Sequence, residues 1–337
     1  MSRSGVEAKP TWQSLPVEVR AQVAQALGSD VMRAARVWGG YSPSPTFRLK
    51  LGNGQRAFFK ASDPGASDFL RQVIEMEERV YTELGALISP WAPGLLGVVH
   101  AAGWRALLLE DVGPKSAPPW TPALTRQVMR GFADYHAATL GATLPDWVPR
   151  FTETDAKVTW ESIIEASDGM ERVAALVGPQ ANEALRWFRQ AEPLFSRLLR
   201  SAPTIPGPNA LMHGDTRSDN LRLRNGQLRL FDWPMAMVGP IEVDLVAFVQ
   251  TISVEGGPEP ESCLEWYGAP LREEVLDMAL VWCVAFFAAR AWQPPIEGLP
   301  RLRPFQRQQL AVLLDWSARR FHLPAPTWTA ALWELNE

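Results

Sequence analysis

The sequence predicts an α+β protein in two parts: a small N-terminal antiparallel β lobe with one long helix, then a larger, mainly α-helical C-terminal lobe. Three observations carry that expectation. Apolar residues alternate about an Asn-Gly pair near residue 53, one long amphipathic stretch lies between strand-like runs, and helical periodicity dominates beyond residue 120.

In chain order, residues 14–27 read as a helix closed by Gly28, because Val19, Val23 and Leu27 recur every four residues and Pro16 suits a first turn. The period changes from Arg33. Phe47, Leu49 and Leu51 alternate with Arg48 and Lys50, Asn53-Gly54 supplies hairpin-turn residues, and 56–61 forms the return strand. A break at Asp63-Pro64-Gly65 precedes a helix over 68–87, with Leu70, Val73, Ile74, Val80, Leu84 and Leu87 at helical spacing. Two more strands follow, 95–100 and 105–109, with Gly103 as the turn residue.

The run Leu107-Leu108-Leu109 ends at Glu110-Asp111-Val112-Gly113-Pro114, and 115–122 is rich in Pro and small residues. The boundary is drawn there, giving an N-terminal lobe over 1–111 and a C-terminal lobe over 112–337. Residues 121–140 then read as a helix ended by Gly141, and 158–199 as two or three helices. Within 211–232, two short strand runs join at Asn225-Gly226; most of 241–337 is helical.

Composition narrows the function. With 337 residues, 47% of them hydrophobic, the chain can bury a substantial core. A net charge of −4 without basic blocks argues against nucleic acid as a partner. The N-terminus lacks an apolar signal core and the apolar run 278–289 is too short to cross a bilayer, so a cytoplasmic protein with no membrane partner is expected. Cys263 and Cys283 have no histidine at metal spacing and read as packing residues. The fifteen tryptophans could in principle form a cage for a quaternary ammonium, but core packing is the simpler expectation.

The chemistry concentrates in Met212-His213-Gly214-Asp215-Thr216-Arg217-Ser218-Asp219-Asn220 and Phe231-Asp232-Trp233. Phosphoryl transfer needs a carboxylate to accept the proton of the attacking hydroxyl, oxygen ligands for Mg²⁺, and cations over the phosphates. Asp215 and Asn220 stand five apart, the separation of the catalytic aspartate and metal-binding asparagine in the kinase signature. Asp232 follows the apolar run Leu228-Arg229-Leu230-Phe231, and a turn at Asn225-Gly226 folds it back towards Asn220. An amide and a carboxylate suit hard Mg²⁺ better than zinc. Taken alone, His213 reads as an anchor for the loop.

These residues, together with Gly239-Pro240-Ile241-Glu242-Val243-Asp244-Leu245, Leu108-Leu109-Glu110-Asp111-Val112 and Asp134-Tyr135-His136-Ala137, resemble the aminoglycoside phosphotransferase and choline kinase-like superfamily. The resemblance implies a bilobal, protein-kinase-like fold. It implies Asp215 as catalytic base, Asn220 and Asp232 as Mg²⁺ ligands, and Lys60 as the α/β-phosphate lysine. Its helix partner would be Glu77, with Glu78 as the second choice. Adenine would meet the backbone from Glu110 to Val112, and Asp244 would brace the catalytic loop. A loop over 38–44 would cover the nucleotide. Gly39 and Gly40 could offer it N–H groups or simply mark a turn, since the loop is not GxGxxG. Arg217 stands where the family often has a second histidine.

The expected activity is ATP- or GTP- and Mg²⁺-dependent transfer of phosphate to a hydroxyl of a small, aminoglycoside-, choline- or sugar-like acceptor. A protein kinase is disfavoured, because Gly214 replaces the arginine of HRD, Trp233-Pro234 replaces the Phe-Gly of DFG, and only eleven residues separate Asp232 from Asp244. The alternative is a catalytically inactive kinase-like module that binds nucleotide and acts through protein interaction.

Overall fold

In the computed structural model, which describes residues 9–38, 44–151, 169–200, 207–296 and 299–334, the alternating runs become one antiparallel sheet. Its strands are β1 (Val31–Arg36), β2 (Thr46–Leu51), β3 (Arg56–Ser62), β4 (Leu95–Ala101) and β5 (Trp104–Glu110), in the order β1-β2-β3-β5-β4. Period two sorts the side chains. Phe47, Leu49, Leu51, Ala57, Phe59 and Ala61 face a core with Trp12 and with Val19 and Val23 of helix α1 (Val17–Ala26). The rings of Trp12, Phe47 and Phe59 meet at centroid separations of 5.5, 5.4 and 5.9 Å. The intervening residues Arg48, Phe58 and Lys60 therefore turn to the opposite face.

The long helix starts as expected but ends early. Ser67 caps α2 (Asp68–Glu83) by accepting from the Leu70 N–H, and Leu84, at ψ 6°, leaves the helical path before Gly85 opens a separate turn, α3 (Gly85–Ile88). Glycine after an off-helix residue makes continuation costly. The buried stripe of α2 is Ile74, Glu77, Val80 and Tyr81, so a carboxylate occupies a core-facing position.

Contacts divide the chain into two compact units, one of Met1–Ala117 with Ser218–Met235, the other of Pro118–Arg217 with Ala236–Glu337. These packing units do not follow the 111/112 boundary drawn from the sequence. The cause is the hairpin β7 (Leu221–Arg224) and β8 (Gln227–Leu230), whose Asn225-Gly226 turn has φ 53° and 77° as a two-residue hairpin requires. The Leu223 N–H donates to Ser116 Oγ at 2.8 Å, Arg229 donates to the Pro90 carbonyl and Arg224 pairs with Glu110. The hairpin thus packs with the N-terminal strands.

The second unit is mainly helical: α4 (Pro122–Thr139), α5 (Gly169–Ala175), α6 (Ala181–Arg200), α7 (Ile241–Val254), α8 (Pro260–Tyr267), α9 (Glu273–Ala291), α10 (Leu302–Phe321) and α11 (Ala331–Glu334). Thr121 caps α4 and Pro122 occupies its first turn. The start of the helical stretch expected from residue 158 lies outside the described residues. Helices α7, α9 and α10 pack on one another, and the apolar run 278–289 is buried within α9. Among the described residues no helix is long and apolar enough to cross a membrane. Trp187, Trp233, Trp316 and Trp328 are buried, as core packing demands.

One ladder has no counterpart in the sequence reading, β6 (Ala210–Met212) with β9 (Met237–Gly239). Three residues are too few to show alternation. Gly239 is required by the closeness of this pair, since a Cβ there would lie 2.7 Å from Met212 Cε and 2.8 Å from Phe151 Cβ. The ladder sets the direction in which the chain leaves Met212 for His213.

Candidate active site

The polar face of the first unit's sheet opens on a cleft lined by Arg48, Phe58, Lys60, Glu77, Leu109, Glu110, Val112, Asp219, Asn220, Arg222, Phe231 and Asp232. Lys60 and Phe58 reach it because they alternate with core residues on β3. Lys60 Nζ lies 2.6 Å from Glu77 Oε2 and also donates to Asp232 Oδ1. Burial alone would lower the Lys60 pKa, but the charges of Asp232 and Glu77 outweigh it and raise the value, so an ammonium ion is held between two carboxylates. Of the two glutamates named from the sequence, Glu77 makes this contact. Glu78, one residue further round α2, meets His100 and Arg105, each at 3.0 Å.

Asp232 follows β8 with φ 70°, a left-handed conformation that aspartate tolerates better than most residues. Its side chain remains 30% exposed to the cleft. The Phe231 N–H donates to the Asn220 carbonyl at 3.0 Å, which ties the two ends of the hairpin together. Trp233 is buried and donates from Nε1 to the Leu230 carbonyl at 3.1 Å. Asn220 and Asp232 thus present an amide and a carboxylate to one cleft. Their oxygen donors fit Mg²⁺, and no group of three or more His, Cys, Asp or Glu among the described residues competes as a metal cage.

Arg222 is a member of the cleft that sequence reasoning missed. Its guanidinium lies 4.8 Å from the Phe231 ring centre and donates to the carbonyls of Ser218 and Asp219, both at 3.3 Å. Burial, with the like charge of Arg48 adding, pushes it down to about 10, which leaves it cationic at neutral pH. The sequence offered no signal for it, since the strand that carries Arg222 begins only at Leu221, and Leu221 and Arg222 are both buried. At the rim, the Glu110 N–H is taken by the Gly94 carbonyl at 2.8 Å. Glu110 itself pairs with Arg224, and Val112 lies beside it in the lining. Gly39 and Gly40 lie outside the described residues.

Asp215 belongs to the second unit, on a loop braced from behind. Gly214, at φ 76°, turns the chain so that the N–H groups of His213 and Gly214 both point at Asp244, at 2.8 Å to Oδ2 and 2.9 Å to Oδ1. Asp244 stands in the first turn of α7, is buried, and also meets His136 Nε2 at 3.2 Å; His136 Nδ1 lies 2.9 Å from the Tyr267 hydroxyl. Burial alone would raise the Asp244 pKa, but His136, His213 and the donated N–H hold it below the usual carboxylate value. The Asp215 N–H donates to His213 Nδ1 at 3.3 Å, so His213 acts as an anchor. Arg217 Nη1 donates to Asp215 Oδ1 at 2.7 Å.

A sheet-plus-helix unit with a buried Lys-Glu pair, followed by a mainly helical part with an aspartate loop, defines the protein-kinase-like fold class. Residues 33–275 match the family model of APH, the phosphotransferase enzyme family. The chain belongs to that family, and is accordingly a small-molecule phosphotransferase of the APH type. Among solved structures it is similar to the gentamicin complex of APH(2″)-IIa, at TM-score 0.57 and 16% identity over 89% of this chain and 96% of that one. It is also similar to spectinomycin phosphotransferase APH(9)-Ia, at TM-score 0.52 and 15% identity over 94% and 99%. A third is the amicoumacin kinase hAmiN, at TM-score 0.50 and 11% identity over 86% and 92%. No curated protein sequence matches the chain.

Proposed function

We propose that the chain catalyses nucleoside-triphosphate- and Mg²⁺-dependent phosphorylation of a hydroxyl on a small molecule. The observation that carries this reading is the Lys60 ammonium held between Glu77 and Asp232 in a cleft that Asn220 shares. A triphosphate tail, with ATP or GTP as donor, binds there. Lys60 orients the α- and β-phosphates, Arg222 adds positive charge, and the backbone from Glu110 to Val112 receives the base. Asn220 and Asp232 hold Mg²⁺, which when bound neutralises charge on the phosphates. The spectinomycin phosphotransferase relative was solved with ADP and the amicoumacin kinase with AMP-PNP and Ca²⁺, in keeping with a nucleotide donor.

Asp215 accepts the proton of the acceptor hydroxyl as its oxygen bonds to the γ-phosphorus. The bridging β–γ P–O bond breaks and its electron pair leaves with the nucleoside diphosphate. The brace on Asp244 keeps the Asp215 loop in place during this step. The acceptor is a small hydroxyl compound, aminoglycoside-, choline- or sugar-like. The competing reading, an inactive nucleotide-binding module, has no need of Lys60, Asp215, Asn220 and Asp232 together.

The test is turnover of Mg·ATP and Mg·GTP against amino-sugar, amino-alcohol, sugar and macrolide acceptors, with Asp215→Ala in parallel. Transfer to an acceptor is expected in the wild type and a loss of about 10³-fold or more in the variant. Nucleotide binding without transfer, identical in both proteins, would leave the inactive module as the correct reading.

A further inference from the structure

We infer that Arg48 and Arg222 make the cleft selective for a triphosphate whose purine carries a 6-oxo group, guanine over adenine, a choice that rests on the reading of this cleft as the donor site. Both arginines line it, Arg48 from β2 and Arg222 from β7. The register of the sheet puts Arg48 at the base end. It pairs with Phe58, two residues along β3 from Lys60 and about 7 Å nearer to the point where Ala57 faces Glu110. Arg222 reaches the same place from the other side. Arg48 Nη2 donates to the Gly113 carbonyl, and Arg222 Nε lies 3.4 Å from that oxygen. The backbone proposed to receive the base, Glu110 to Val112, therefore ends against two guanidinium groups.

Two like charges on one carbonyl are poorly satisfied by the protein alone. Asp111 offsets Arg48 in part, with Oδ1 at 3.4 Å from Arg48 Nε, yet that nitrogen is buried and makes no hydrogen bond. Arg222 uses Nη1 on the carbonyls of Ser218, Asp219 and Leu221 and Nε on Gly113, which leaves Nη2 without a protein partner among the described residues. Burial, and next the charge of Arg48, push the Arg222 pKa down to about 10. A ligand that brings acceptor atoms to this end relieves the pair. Guanine presents O6 and N7 side by side, the pattern that a guanidinium fork matches two at a time. Adenine presents N7 beside an amino group, whose hydrogens face donors and leave one of them unpaired in a partly dry cleft. Phe58 offers an apolar face to either base, so discrimination falls to the arginines.

The test needs no acceptor. Mg·GTP, Mg·ITP, Mg·7-deaza-GTP and Mg·ATP are titrated calorimetrically into the full chain. Wild type is expected to bind GTP and ITP about tenfold or more tighter than ATP, because inosine keeps O6 and N7 and lacks only the 2-amino group. Loss of N7 in 7-deaza-GTP should cost about fivefold against GTP. Arg222→Gln and Arg48→Gln should each pull the ratio of ATP to GTP dissociation constants towards one, and Arg48→Lys, which keeps the charge and loses the fork, should also lower it. A merely structural role would weaken both nucleotides alike and leave the ratio unchanged. Arg48, whose side chain is 36% exposed, supplies the variant that folds if Arg222→Gln does not. A wild-type ratio of one or less, ITP bound no better than ATP, or a ratio that survives in the Arg48 variants would each overturn the inference while leaving the donor site standing. Failure of all four nucleotides to bind would bring down the reading of the cleft itself, and the inference with it.

Discussion

At the scale of single residues, the Lys60 ion pair has a consequence for both stability and activity. Glu77 is fully buried on α2, and Lys60 is the cation it meets, at 2.6 Å. Removing one partner of a buried pair costs far more than removing both, because the survivor is left charged in a low-dielectric site. Lys60→Met should therefore destabilise the protein by roughly 3–5 kcal/mol. Adding Glu77→Gln should recover much of that loss, giving a coupling of about 1–3 kcal/mol in a double-mutant cycle. Urea unfolding of the four proteins checks it, and strictly additive losses would show that the two side chains do not act as a pair. Nucleotide turnover should fall about 10²–10³-fold in both Lys60 variants, since the pairing restores stability and not the cation over the phosphates. Glu77 was named because the family resemblance asks the long helix for a partner to Lys60, and the structure places it on the buried stripe, three after Ile74 and four before Tyr81. Arg222 was harder to read, as nothing in Leu-Arg-Leu-Arg says that an arginine will be buried against Phe231.

At the scale of elements, two helix starts are tied by one ion pair, and this sets an acid limit on stability. Glu242, in the first turn of α7, accepts from Arg272 N and Nε, both at 3.0 Å, and from Nη2 at 2.7 Å. Arg272 is the residue that precedes α9. Burial alone would raise the Glu242 pKa, but these donors outweigh it and hold the value below the ordinary 4.5. A carboxylate depressed on folding adds stability that is complete above its unfolded pKa and is lost as pH falls through the folded one. Wild type should therefore lose stability below about pH 4.5, more steeply than Glu242→Gln, while the variant is already weaker at neutral pH by about 1–3 kcal/mol. Thermal unfolding from pH 7 to pH 3 tests this, and parallel acid limbs would assign the acid loss to other groups. The strands and the capped helices were legible because their signals are local: alternation, Asn-Gly, Ser67 and Thr121 as caps. The β6–β9 ladder was not, because its partners are three residues long and more than twenty apart in sequence.

At the scale of the whole molecule, the order of elements was legible in the sequence, whereas the contacts that group them were not. The 111/112 boundary followed composition, whereas packing follows contacts made after the chain has run through residues 118–217 and returned. Hydrogen bonds from 221–230 to residues such as Pro90, Glu110 and Ser116 have no local signature, so a linear reading assigns the hairpin to the part of the chain that surrounds it. The same grouping predicts how a nucleotide should be felt. All the described residues that line the cleft come from the first unit, so Mg·AMP-PNP should slow amide exchange in β3 and in the β7–β8 hairpin together, though about 160 residues separate them. Helix α9, which lines no part of that cleft, should change little. Binding at a hundred times the Kd adds about 2.7 kcal/mol to the bound state, enough for roughly a hundredfold slowing wherever exchange requires opening of the unit. Asp232→Asn should reduce the effect in both segments to a similar degree, because β3 and the hairpin meet through the Lys60–Asp232 contact. Protection confined to β3, with 221–230 unaffected, would show that nucleotide binding does not depend on the returning hairpin.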